Sequence, residues 1–236
     1  MKMLEEQNTK ERVMVVVAHP DDAEFTSGGT LAKWVAEGAD IRYVVCTDGS
    51  KGGDDLEIDD VALRDLREAE QRAAAETLGA KEVAFLRYPD GDLAPGSSLH
   101  RDLVVLIRRW QPDTLLAWDA WRPYQLHPDH RAAGLAAVEA VLAAGNPRRF
   151  ADLVADGLAA HRVANVYLFG TDAEDTWVDV SDSFERKVKA IECHRSQIGD
   201  DVKVVAQIEG CNRAVGKRHG VAYAEAFKVL HPFCDG

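Results

Sequence analysis

The chain has 236 residues, of which 46% are hydrophobic and 29% are charged, and its formal net charge is -12. This length suffices for one large core, and no Pro-, Gly- or Ser-rich linker divides it, so we expect a single domain over residues 1–236. The acidic balance disfavours nucleic-acid binding, which needs a basic stripe, and no apolar run approaches the roughly 18 residues of a membrane span.

The beginning of the chain and its cysteines indicate a reducing compartment. Residues 1–12 are polar and charged, without the apolar core of a secretory signal. The four cysteines form no CxxC pair and no dense framework, which fits reduced thiols. We therefore expect a cytoplasmic protein.

Strand and helix patterns alternate along the first 145 residues. The first run, Val13–Ala18, is mostly β-branched and has no polar face, as in a strand buried on both sides. Further strands are predicted at residues 40–46, 83–86 and 113–118. Helices are predicted from a turn at residues 27–30 to about 37, over residues 61–78, from a Ser98 cap to 110, and from 127 to about 144. This alternation predicts an α/β fold with a parallel sheet covered on both faces.

The second half of the chain is less regular. Strands are predicted at residues 164–169 and 176–180, and short helices at residues 150–161 and 184–194, the second capped by Ser181 and Asp182. Residues 200–218 show no clear pattern, and residues 223–227 predict a final helical turn.

Two polar clusters directly follow buried strands. His19-Pro20-Asp21-Asp22 comes after the first strand, and His127-Pro128-Asp129-His130 comes after the fourth. In a doubly wound order such as 3-2-1-4-5 these strands are neighbours, so both clusters face one crevice. Imidazole and carboxylate groups suit a divalent metal, and a catalytic zinc site keeps three protein ligands plus a water. The pairing therefore predicts a metal site.

Within each cluster, two like residues can divide their roles. Asp21 and Asp22 are adjacent and must point differently, so one can bind metal while the other stays free as a base. His127 and His130 lie three apart at a helix start, so one can bind metal while the other meets the substrate. Each cluster alone is also explained by a Pro-containing turn or a helix cap, since short motifs match by chance.

Several motifs together resemble the LmbE-like, or PIG-L, family of zinc-dependent N-deacetylases. They are AHPDDAE at 18–24, GGT at 28–30, TDGSKG at 47–52 and HPDH at 127–130. Weaker matches are Arg67, Glu70, LG at 78–79, YPDG at 88–91, HRSQ at 194–197 and YAEAF at 223–227. The resemblance covers nearly the whole chain. It implies a Rossmann-like three-layer sandwich, and hydrolysis of an N-acyl group, usually on an N-acetylglucosamine moiety. Ala23 separates Glu24 from the paired aspartates, a variant that leaves the role of Glu24 open.

The resemblance also implies roles for single residues. His19, Asp22 and His130 resemble the ligands of Zn²⁺, Asp21 the general base, and His127 the group that meets the oxyanion or the leaving amine. Asp129 is expected to orient His127. Arg67 and Asp90 are expected to contact sugar hydroxyls, with a structural ion pair or loop cap as the alternative. Trp121 or Tyr124 either stacks on a sugar or belongs to the core.

The expected partner is a small amino-sugar substrate, and homo-oligomers are frequent among relatives, although no stretch here indicates an interface. Two other functions are compatible with the site. One is a non-catalytic Rossmann-like sugar- or nucleotide-binding module with a structural metal, which the free Asp21 and the missing phosphate loop disfavour. The other is a metal phosphoesterase, which is disfavoured because the chain has too few ligands for two metal ions.

Overall fold

A mixed β-sheet forms the centre of the computed structural model, which describes residues 11–53, 55–94, 96–199 and 202–233. Its strands are β1 (Arg12–Val17), β2 (Asp40–Thr47), β3 (Glu82–Tyr88), β4 (Thr114–Trp118), β5 (Asn165–Phe169), β6 (Thr176–Asp179) and β7 (Ala224–Leu230). The order in the sheet is β3-β2-β1-β4-β5-β7-β6. Strands β1 to β5 pair in parallel, whereas β7 is antiparallel to both β5 and β6. The predicted neighbouring of strands one and four is confirmed.

Helices cover both faces of this sheet. They are α1 (Asp22–Ala36), α2 (Asp60–Leu78), α3 (Ser97–Trp110), α4 (Pro128–Ala144), α5 (Ala151–Ala155), α6 (Phe184–Ile191), α7 (Arg195–Ile198) and α8 (Val202–His219). Alternate residues of β1 enter two separate cores, one with α3 and α4 and the other with α1, α2 and α6. The predicted three-layer α/β sandwich is therefore confirmed. None of the helices within the described ranges is both long and apolar enough to cross a membrane.

The start of α1 differs from the prediction. The helix begins at Asp22, so Gly28 and Gly29 lie inside it rather than in a preceding turn. Close packing explains these glycines, because a Cβ on Gly29 would lie 2.8 Å from the Cβ of Val180. The glycine pair thus marks a contact with a distant segment, which a sequence pattern does not distinguish from a turn.

Several other boundaries also differ from the prediction. Gly96 and Ser183, rather than Ser98 and the Ser181-Asp182 pair, precede helices α3 and α6. The predicted helical turn at 223–227 is the strand β7, whose partners β5 and β6 are distant in sequence. Residues 202–219, which lacked a clear pattern, form the helix α8. The polar segment at residues 1–10 lies outside the described residues, and the single-domain boundary stays a prediction.

A buried ion pair joins α1, α6 and β7. Lys187 donates to Glu225 Oε1 over 2.6 Å, and both side chains are almost completely buried. The same carboxylate accepts the N–H groups of Gly29 and Thr30, at 3.0 and 2.7 Å. A buried charge is tolerated only when it is paired and hydrogen-bonded, and these three donors meet that requirement for Glu225.

Helix α4 approaches strand β4 closely at Gly134, and this contact gives a stability prediction. A Cβ on Gly134 would lie 2.4 Å from the backbone oxygen of Trp118, so Gly134→Ala should destabilise the protein by about 2 kcal/mol or more. A Cβ on Gly210 in α8 would have nothing within 4 Å, so Gly210→Ala should stabilise by about 0.5–1 kcal/mol. Urea denaturation measures both free energies of unfolding, and equal shifts for the two variants would contradict the packing argument.

Candidate metal centre and active site

The two histidine-containing clusters meet at the carboxyl ends of β1 and β4. Nδ1 of His19 lies 3.2 Å from Nε2 of His130, which lies 3.2 Å from Oδ1 of Asp22. His19 Nδ1 also lies 3.8 Å from Oδ2, the other oxygen of Asp22. Zinc bonds of about 2.0–2.2 Å in a tetrahedron place neighbouring ligand atoms roughly 3.3–3.6 Å apart. The two distances from His130 Nε2 are close to this spacing, and imidazole and carboxylate groups suit zinc. His127 also lies close enough to His19 and His130 for these three imidazoles to hold a metal ion.

One oxygen of the Asp22 carboxylate is fixed by three hydrogen bonds. Its Oδ2 accepts the N–H groups of Ala18 and His19 at 3.0 and 2.9 Å, and the indole N–H of Trp118 at 2.9 Å. These bonds leave Oδ1 directed at His130. Burial raises the pKa of Asp22, but hydrogen bonds from His130 and His19 outweigh it and hold the pKa well below its usual range. Asp22 is therefore an ionised group whose Oδ1 faces His130 and is not bonded to the backbone of the described residues.

Two further carboxylates contact His19 at Nε2, the ring nitrogen that faces away from His130. Its Nε2 lies 3.1 Å from Asp90 Oδ1 and 3.1 Å from Asp129 Oδ2. Burial lowers the pKa of His19, but hydrogen bonds to Asp22 and Asp90 raise it to about 11. Such outer carboxylates commonly fix the orientation of a metal-binding imidazole. Nδ1 of His19 is thereby left facing the other donor atoms.

The expectation that the Asp129 carboxylate orients His127 is wrong. Besides His19, that carboxylate accepts the N–H groups of Gly91 and Leu93, at 2.8 and 3.0 Å. Only the backbone N–H of Asp129 meets His127, donating to its Nδ1 over 3.3 Å at the start of α4. Sequence adjacency suggested the wrong histidine, because the helical turn directs the side chain of Asp129 back towards β1.

His127 and His130 form a stack with Trp118. The His130 ring lies 4.0 Å from Trp118 and 4.4 Å from His127, between centroids, with interplanar angles of 10° and 18°. Since Nδ1 of His127 accepts a hydrogen bond, its neutral ring carries the proton on Nε2. Burial and the charges of His19 and His130 lower the pKa of His127, which favours this neutral form. His127 thus offers an N–H donor to the pocket that it lines.

Asp21 lies beside these groups in an unusual backbone conformation, with φ 108° and ψ −30°. Its Oδ2 lies 3.2 Å from Nη2 of Arg67, and its N–H donates to Oε1 of Gln71 over 2.9 Å. Burial and the charge of Asp22 raise the pKa of Asp21 to about 7, although Arg67 lowers it. The two adjacent aspartates are therefore separated both in direction and in proton affinity.

These groups line a pocket of about 400 Å³. Arg67 and Asp90 line this pocket, and both side chains also form hydrogen bonds with backbone groups. Arg67 donates to the backbone oxygens of Gly49 and Pro20 at 2.7 and 2.8 Å, and Asp90 accepts the N–H of Lys51 at 2.9 Å. The alternative of ion pairs and loop contacts is thus realised for both residues, and their contact with sugar hydroxyls stays a prediction.

Sequence analysis assigned no site role to Trp118 or Gln71, and it indicated Gln197 only as part of the HRSQ motif. Trp118 was assigned only to a buried strand, and Gln71 only to a long helix. Gln197 in α7 lines the pocket and donates to the Gly52 oxygen over 2.6 Å. No spacing rule indicates such contacts between distant segments. Trp121 and Tyr124 are 57% and 94% exposed, so the alternative that they belong to the core is wrong, and stacking on a sugar stays a prediction.

Comparisons with known proteins decide the family. A family model described as PIG-L, GlcNAc-PI de-N-acetylase, matches residues 14–141. A diacetylchitobiose deacetylase of Thermococcus kodakarensis is 36% identical over 234 residues, which cover 97% of this chain and 86% of the relative. The chain belongs to the PIG-L family. The resemblance drawn from the paired motifs is confirmed.

Two further matches agree with the assignment of this PIG-L protein. A 1D-myo-inositol 2-acetamido-2-deoxy-alpha-D-glucopyranoside deacetylase of Mycobacterium sp. (strain KMS) is 32% identical, covering 79% of this chain and 74% of the relative. The solved structure of N,N'-diacetylchitobiose deacetylase from Pyrococcus horikoshii has a TM-score of 0.90 at 32% identity, covering 96% of this chain and 89% of that one. The PIG-L protein is therefore an amide-hydrolysing enzyme, as predicted.

Proposed function

We propose that this PIG-L protein is a zinc-dependent hydrolase that removes the N-acetyl group from an N-acetylglucosamine-type amino sugar. The observation that carries the proposal is the convergence of His19, Asp22 and His130 beside Asp21, a carboxylate outside that donor set. The relatives support the substrate class, since their names describe deacetylases of acetylated amino sugars. A pocket of about 400 Å³ has the size of an ordinary small-ligand site.

His19, Asp22 and His130 would hold the zinc ion through Nδ1, Oδ1 and Nε2. When bound, zinc supplies a Lewis acid for the amide carbonyl and lowers the pKa of water from 15.7 to about 7. His19 would lose a proton when the ion binds, and two neutral imidazoles with one carboxylate would then leave the centre with a formal charge of about +1. The Trp118 ring covers His130 and Asp129 fixes His19, so both imidazoles are held before any ion binds.

Asp21 is the proposed general base. Arg67 occupies its Oδ2, which leaves Oδ1 to accept the proton of the attacking water. Burial and the charge of Asp22 raise the pKa of this carboxylate, and a raised pKa strengthens a general base. His127 is proposed to donate from Nε2 to the developing oxyanion, or to the leaving amine. Arg67 and Asp90 are proposed to contact sugar hydroxyls.

The direct test measures amine release from N-acetylglucosamine and N,N'-diacetylchitobiose. The purified protein should release amine and acetate in equal amounts, lose this activity on chelation, and regain it when zinc is added. A non-catalytic binding module would bind an acetylated sugar without releasing amine. Binding without turnover in the zinc-loaded protein would overturn the proposal. Assembly into homo-oligomers and a cytoplasmic location remain predictions.

The ligand assignment predicts different zinc contents for two neighbouring histidines. His130→Ala should lose stoichiometric zinc, whereas His127→Ala should keep it, because only His130 contacts Asp22 Oδ1. Asp22→Asn should also lose zinc, since the three N–H donors at Oδ2 turn its amide nitrogen towards the ion. Metal analysis of the folded variants measures the content. Zinc loss from His127→Ala, or full retention by the other two, would contradict this assignment.

The base assignment predicts a rate effect without loss of metal. Asp21→Asn is nearly isosteric but cannot accept a proton at neutral pH, so kcat should fall by about 10²–10⁴. Zinc content and KM should stay close to those of the wild type. Asp92→Asn is the control, because Asp92 is an exposed carboxylate on the loop after β3 and does not line the pocket. A wild-type kcat for Asp21→Asn would remove Asp21 from the mechanism.

A further inference from the structure

Asp21 has a backbone conformation that a non-glycine residue rarely adopts. Its φ is 108°, far from the negative values that side chains with a Cβ prefer. Such conformations cost free energy and persist only where surrounding contacts impose them. Asp21 also directly precedes Asp22, which is a proposed metal ligand and the first residue of α1. Its conformation therefore needs a structural cause.

Helix α2 supplies contacts on both sides of this residue. Oε1 of Gln71 accepts the N–H of Asp21 over 2.9 Å. Nη2 of Arg67, one turn earlier on α2, donates to the backbone oxygen of Pro20 over 2.8 Å and to Asp21 Oδ2 over 3.2 Å. The peptide that enters Asp21 is thus bonded at its oxygen by Arg67 and at its nitrogen by Gln71.

The buried carboxylate of Glu24 fixes the amide of Gln71, and His194 lies beside that carboxylate. Nε2 of Gln71 donates to Oε1 of Glu24 over 3.0 Å, and Oε2 of Glu24 lies 3.3 Å from Nε2 of His194. Gln71, Glu24 and His194 are all fully buried. Because the NH₂ of Gln71 donates to Glu24, its amide oxygen is directed towards the N–H of Asp21.

We propose that Gln71 is a positioning residue, which holds Asp21 in its strained conformation through an amide orientation imposed by Glu24. The inference rests on the proposed role of Asp21 as the base. If the N–H of Asp21 lost its acceptor, the peptide could rotate towards a common conformation and carry the carboxylate away from the pocket. Gln71 itself does not line the pocket, so it acts through Asp21 rather than on the substrate. Glu24, whose role the motif left open, would thus orient the amide of Gln71.

The first test replaces Gln71 by an apolar residue of similar size. Gln71→Met should lower kcat by about 10–100-fold, since a misplacement of about 1 Å can cost 10²-fold, while KM and zinc content change less than about twofold. Asn212→Leu is the matched control, because Asn212 is another buried amide, and its Nδ2 donates to the Ala224 oxygen over 2.9 Å. It should lower stability without the loss of kcat. Wild-type kcat in Gln71→Met, or an equal loss in Asn212→Leu, would overturn the inference.

An exchange of the two polar side chains tests the orientation argument. In the double variant Gln71→Glu/Glu24→Gln, position 71 keeps a hydrogen-bond acceptor that faces the N–H of Asp21. Position 24 then supplies the donor to position 71 and keeps an acceptor that faces His194. It should recover at least about tenfold of the kcat lost in Gln71→Met, whereas Gln71→Glu alone opposes two carboxylates and should not. Failure of the folded, zinc-loaded double variant to recover activity would count against the orientation argument.

Two measurements distinguish a failure of the positioning role of Gln71 from a failure of the proposed deacetylase function. In the Asp21→Asn background, Gln71→Met should cause no further loss of kcat, because residues that act as one unit are not additive. Independently of activity, a crystal structure of Gln71→Met, or of Gln71→Asn if the first fails to fold, should show Asp21 with a negative φ. An unchanged φ near 108° would overturn the positioning role, even if the wild type deacetylates no sugar.

Discussion

One oxygen of Asp22 connects the two strands on which the site depends. It accepts two N–H groups from the end of β1 and the indole N–H of Trp118 from the end of β4. Hydrogen bonds to a charged group are worth about 1.5–3 kcal/mol each, and burying this carboxylate without them would be costly. Because Trp118 also stacks on His130, the same oxygen fixes the relative position of His19, Asp22 and His130.

The environments of the adjacent aspartates separate their chemistry. Burial and the charge of Asp22 raise the pKa of Asp21 to about 7, while His130 and His19 hold the pKa of Asp22 low. Neighbouring acids whose pKa values are driven apart are a common basis for dividing ligand, acid and base roles. Here the difference arises from partners on other elements. Asp22 faces the imidazoles, whereas the backbone of Asp21 turns its carboxylate towards Arg67 on α2.

Local sequence patterns predicted the order of the central strands and the meeting of the two clusters. Each depends on a short segment, a buried strand followed by a polar turn, and on the general topology of parallel sheets. The contacts of Asp129, Gln71 and Trp118 were not predictable in this way, since each joins groups far apart in sequence. The residues 223–227 illustrate the same limit, because pairing with β5 and β6 makes them a strand.

The Glu225 carboxylate has a consequence for how the chain acquires its structure. It belongs to the last strand, yet it accepts the N–H groups of Gly29 and Thr30 in the first helix. During synthesis, every residue of the donor set leaves the ribosome before Glu225 does. A nascent chain that ends before β7 leaves Lys187 without its partner and α1 without this acceptor. Contacts of such long sequence separation form late and slow folding, so the site should reach its final geometry only after the whole sheet is translated.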